Sequence, residues 1–75
     1  MFDEREKHYM KLIKNNLEFF NVGRRKKLTV KYYTDEETNK NLARVLWTHV
    51  IVAENLTIQE AHAFVWGFTR GREGR

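Results

Sequence analysis

The 75-residue chain contains no cysteine, no proline and no serine, and only four glycines. Without cysteine there are no disulfide staples, thiolate zinc sites or thiol nucleophiles. The same absence fits a reducing compartment, and the expected location is cytoplasmic. With neither serine nor a glycine-rich phosphate loop, the common hydrolase and nucleotide-binding signatures are missing. No apolar run approaches the ~20 residues a spanning helix requires, so no membrane partner is expected. Residues Met1 to Lys7 are charged where a secretory signal is apolar.

Charge and aromatic rings are plentiful by contrast. Lys and Arg number 14 against 10 Asp and Glu, a formal net charge of +4 that favours acidic partners. The length fits one small domain spanning 1–75. Large side chains must fill much of so small a core, and ten are aromatic. Adjacent aromatics on one element cannot both face inward, which leaves Phe19, Tyr33 and Trp66 as candidates for exposure. A chain this short, lacking disulfides, is the kind that oligomerises, and a homodimer is expected.

Residues 2–21 read as a helix. Met10, Ile13, Leu17 and Phe20 recur at 3-4-3 spacing on one stripe. Asp3, Glu4 and Glu6 occupy the dipole-favoured first turn, and Gly23 suits the left-handed stop. After the cationic run Arg24-Arg25-Lys26-Lys27, residues 27–33 alternate with a period of two. Leu28, Val30 and Tyr32 take one face, and Thr29, Lys31 and Tyr33 the other, which is the pattern of a half-wet strand. Thr57-Ile58-Gln59-Glu60 is a capping box ahead of a helical stripe of Ile58, Ala61, Phe64, Val65 and Phe68. Gly67 weakens this helix, and the basic tail 70–75 is expected to fray.

The fold depends on residues 34–54. Thr34-Asp35-Glu36-Glu37 resembles a helix start, whereas Trp47-Thr48-His49-Val50-Ile51-Val52 is rich in residues that suit a pleated surface. A polar turn at 34–41 followed by a strand over 43–53 explains the composition better. The expected fold is α+β, an α-β-β-α domain with two helices on one face of a β-hairpin. Val45, Trp47, Ile51 and Ala53 then face the helices. Leu46, Val50 and Val52 point away, onto a face that a second copy or a target protein would cover. In the alternative the chain is mostly α, one strand and two helices after an additional N-terminal helix. That arrangement resembles ribbon-helix-helix DNA binders in architecture over 27–70, with Lys27, Thr29 and Lys31 as outward readers.

Two candidate sites follow. Arg24, Arg25, Lys26, Lys27, Thr29, Lys31, Arg70 and Arg72 form a candidate surface for nucleic acid or an acidic partner. Lysine and arginine neutralise phosphates, and hydroxyl and tyrosine groups position a backbone or stack on bases. Tyr33, Trp66 and Arg70 form a candidate protein-contact patch, because Trp, Tyr and Arg are enriched in binding hot spots. His8, His49 and His62 lack metal-site spacing, and His49 reads as a core or interface residue. No cofactor or metal is expected, and catalysis finds no support. The function that fits is a non-enzymatic regulator, of a size and composition common on phages and mobile elements. It would modulate a host or partner protein by occupying its surface. Direct binding of DNA or RNA is the alternative.

Overall fold

The computed structural model describes residues 2–73. It has two helices and three strands, in the order α1 (Glu4–Asn21), β1 (Leu28–Thr34), β2 (Asn41–Trp47), β3 (Val50–Thr57) and α2 (Ile58–Glu73). The strands form one antiparallel sheet in the order β1-β2-β3, and both helices pack against it. The expected α+β class, with two helices on one face of a sheet, holds. The ribbon-helix-helix alternative does not, because residues 34–54 contain no helix.

Each helix begins at a reciprocal capping box. At α1 the Glu6 N–H donates to Asp3 Oδ1 at 2.8 Å, and the Asp3 N–H donates to Glu6 Oε1 at 3.0 Å. At α2 the Glu60 N–H donates to Thr57 Oγ1 at 3.1 Å, and the Thr57 N–H donates to Glu60 Oε1 at 2.8 Å. Gly23, at φ +71°, turns the chain out of α1. The Asn21 side chain then behaves as a short strand partner. It accepts from the Leu28 N–H and donates to the Leu28 carbonyl, each at 2.9 Å.

The segment 43–53 is not one strand. It reverses at Thr48-His49, so the sheet has three strands where a hairpin was expected. No glycine, asparagine or proline marks the reversal. Thr48 takes φ +63°, a region that β-branched residues rarely enter. Its N–H donates to the Lys27 carbonyl at 2.8 Å, which ties the turn to the residue before β1. The helix-like start at 34–37 is instead the β1–β2 turn. There Thr38 Oγ1 donates to Asp35 Oδ2 at 2.7 Å, and Asn39 takes φ +59°.

β3 carries two more residues than the stretch of β2 it opposes. Leu42 pairs with Thr57 and Trp47 with Val50, with register shifts between Ala43 and Val45 and between Val45 and Leu46. The second shift moves Ile51 opposite Leu46, onto the face away from the helices. The sequence reading placed it inward. Asn55, at φ +61°, forms the first bulge, and Tyr33 holds it from across the sheet. The Tyr33 hydroxyl accepts from the Asn55 N–H at 3.0 Å and donates to Asn55 Oδ1 at 2.7 Å.

The core is Ile13, Phe20, Leu28, Ala43, Val45, Ile58, Ala61 and Val65, all nearly inaccessible to solvent. Phe68, Trp47, Leu17, Tyr9 and Tyr32 pack around it. Three intervening strands make the helices run in the same direction. Tyr9 meets His62 near their starts, with rings 5.3 Å apart, and Asn16 meets Thr69 further along at 3.3 Å. Residue 70, where the tail was expected to begin, lies within α2. Thr69 is buried, its hydroxyl donates to the Val65 carbonyl at 2.9 Å, and the helix continues to Glu73. The last two residues of the expected tail lie outside the described residues.

Candidate docking end

Five elements alternating in direction sort the charges by end. The starts of both helices and the β1–β2 turn share one end, where Asp3, Glu4, Glu6, Asp35, Glu36, Glu37 and Glu60 outnumber the bases Arg5, Lys7 and Lys40. The opposite end holds both helix C-termini, the α1–β1 connection and the β2–β3 turn. It carries Arg24, Arg25, Lys26, Lys27, Arg70 and Arg72. Each helix has acids in its first turn; α2 has Arg70 and Arg72 in its last turn, whereas α1 has no base there and is followed by Arg24 to Lys27 in the connection. The molecule is 40 Å long and the physiological Debye length is about 8 Å, so a partner meets each end separately.

The basic end is built on three rings. Phe20 lies 6.0 Å from Trp47 and 6.4 Å from Phe68, and Trp47 and Phe68 are 5.3 Å apart. Arg24 caps this trio, its guanidinium 3.9 Å from the Phe20 ring centroid. Arg72 covers it from α2, 3.8 Å from Phe68 and 5.4 Å from Trp47. The two basic segments, whose Arg24 and Arg72 are 48 positions apart in sequence, thus rest on one aromatic cluster.

Not every cation there is free. Arg24 Nε donates to the Phe20 carbonyl at 2.7 Å, and Lys27 Nζ donates to the Asn21 carbonyl at 2.6 Å. Both satisfy orphan carbonyls at the end of α1. Arg25 and Lys26 are exposed and make no such bond. Arg70 stacks on Trp66 at 4.8 Å. The two helix C-termini contribute about −0.5 elementary charge each, which leaves the end strongly positive against six cations.

This half is also the greasy half. The exposed large hydrophobics among the described residues are Phe19, Val22, Val50, Ile51, Val52 and Trp66. Phe19 and Val22 lie at the end of α1, and Val50 to Val52 directly after the β2–β3 turn. Trp66 lies just past the middle of α2. Phe19 and Trp66 rim a shallow cleft of about 310 Å³ between the helices, floored by Leu12 and Asn16.

The other predicted residues divide. Thr29 and Lys31 are exposed on the helix-free face of the sheet. Tyr33 is not a free contact residue, because its hydroxyl serves the Asn55 bulge and its ring lies under Arg44, 5.1 Å away. Arg44 in turn pairs with Glu54 at 2.9 Å. Tyr33 is therefore on the opposite side of the sheet from Trp66 and Arg70, and the proposed three-residue patch is split. His49 is exposed in the β2–β3 turn rather than in a core. Sequence reasoning missed Phe19, Val22 and Val50 as companions of the cations. Only the topology places them at one end.

Among the described residues no group of three His, Cys, Asp or Glu side chains converges as a metal site. Nor, among the described residues, is any helix long and apolar enough to cross a membrane. Comparison with protein-family models, curated proteins and solved structures finds no match for this chain.

Proposed function

We propose that the chain is a small non-enzymatic regulatory binding protein that acts as a homodimer in the cytoplasm. It modulates a partner protein by docking its basic end on an acidic surface with apolar patches. The supporting observation is the coincidence, in one half of the molecule, of six cations with the exposed large hydrophobics. Charge steers the encounter and Phe19, Trp66 and the Val50–Val52 strip supply the buried contact. A phosphate backbone uses the first of these features and leaves the second idle. Tyr33, a tyrosine on the same sheet face as Thr29 and Lys31, is already engaged.

The test is retention of a partner from lysate of the cells that carry the protein, with and without nuclease. A retained acidic protein should survive nuclease. It should be lost from the Arg70→Glu variant and from Phe19→Ala/Trp66→Ala. Equal retention by both variants would refute the docking end. Retention that vanishes with nuclease, together with salt-sensitive binding of duplex or single-stranded DNA, would favour the nucleic-acid alternative.

A further inference from the structure

We infer that β1 is the dimer seam, pairing antiparallel with β1 of a second copy about a two-fold axis near Tyr32. This rests on the reading of the chain as self-associating and adds the element, the orientation and the register.

The sheet has two edges, and they are not equivalent. β3 is interrupted by two bulges, a common protection against strand addition. β1 is regular, in unbroken register with β2 from Leu28 to Thr34. Its hydrogen-bond phase follows from its ends. The Lys27 carbonyl accepts from Thr48, and the Asp35 N–H donates to the Lys40 carbonyl at 2.8 Å. Antiparallel ladders alternate, so the odd-numbered residues of β1 bond to β2. The N–H and C=O groups of Leu28, Val30, Tyr32 and Thr34 point outward. Those of Leu28 are taken by the Asn21 side chain. Val30, Tyr32 and Thr34 remain, with no other backbone partner among the described residues.

Three outward residues centred on Tyr32 define one self-pairing that uses them all. Val30 opposes Thr34 of the second copy, and Tyr32 opposes its own copy. Charge selects the same arrangement. β1 runs from Lys26 and Lys27 to Asp35, Glu36 and Glu37, so antiparallel pairing sets each basic entry beside an acidic exit. Parallel pairing would set like charges together. The lysines that discourage indiscriminate strand addition thus admit one partner in one direction. The result is a six-stranded sheet whose two docking ends point in opposite directions.

Sedimentation equilibrium over a wide concentration range should give a mass of two chains, with weaker association at high salt. Val30→Pro removes an N–H that β2 does not use, so it should retain the helical spectrum and lose the dimer. Lys27→Glu and Glu37→Lys, which this register sets opposite each other, should each dimerise at least ten-fold more weakly alone and recover when mixed, because opposite charges then meet at both ends. A zero-length carbodiimide should link Lys26 or Lys27 to Glu36 or Glu37. Within one chain seven strand residues, about 23 Å, separate them, so such a link is intermolecular.

A single-chain mass at every concentration would overturn both self-association and the seam. A dimer that survives Val30→Pro, shows no recovery on mixing and yields no such link would overturn the seam while self-association stood. A Val30→Pro variant that loses its fold leaves the mixing and cross-linking results to decide. Docking on the acidic partner is read separately, through Arg70, Phe19 and Trp66.

Discussion

Replacing Thr48 by glycine should stabilise the protein. Thr48 sits at φ +63° at the first position of the β2–β3 turn, where a β-branched residue is strained by about 1–3 kcal/mol. Glycine removes that strain but loses about 0.5–1 kcal/mol to the greater freedom of the unfolded chain. The turn's bond to the Lys27 carbonyl uses the backbone N–H and survives the change. The side chain is exposed, so little packing is lost. The net gain is about 1 kcal/mol, which for a domain of this size raises the melting temperature by roughly 4–8 °C. Urea titration and thermal melting followed by circular dichroism measure it. Thr48→Val, strained alike but lacking the hydroxyl, should leave stability nearly unchanged. A Thr48→Gly variant no more stable than the parent would refute the assignment of strain to this turn.

Two further outcomes are expected. Tyr33→Phe removes both hydrogen bonds that hold the Asn55 bulge and should cost about 1–2 kcal/mol in urea unfolding, without changing retention of an acidic partner. Burial raises the ionisation of Tyr32 above the ordinary tyrosine value. The unfolded chain therefore loses that proton first as pH rises, and the contribution is intact below about pH 10 and lost above it. Tyr32→Phe should flatten the fall in stability measured by alkaline denaturation. An unchanged alkaline slope would contradict the burial argument.

Much of the local structure was legible because it rests on local rules. The 3-4-3 stripe of α1, the Thr57 capping box and the Leu28–Tyr32 alternation each lie within a few residues of their cause. The exposure of Phe19 and Trp66 also followed from adjacency, because each neighbours a residue facing the core or its margin. The reading failed where a distant group supplies the reason. Thr48-His49 is not a turn sequence, and it turns with its backbone anchored to the residue before β1. Tyr33 looked free because the bulge that occupies it is 22 residues away in sequence and two strands away in space. Arg70 and Arg72 looked like a loose tail because their supports, Trp66 on one side and Trp47 with Phe68 on the other, are defined only after packing.

The sequence by itself determined the α+β class, both helices, the first strand and the placement of acids and bases along the chain. The tertiary structure alone decided where those charges meet. With the expected two strands, α2 would run back against α1 and carry Arg70 and Arg72 to the acidic end. The third strand reverses α2, so both helices run the same way and both basic segments reach one aromatic cluster. The even number of reversals between the helices follows from the anchored turn at Thr48, and no residue within that turn announces it.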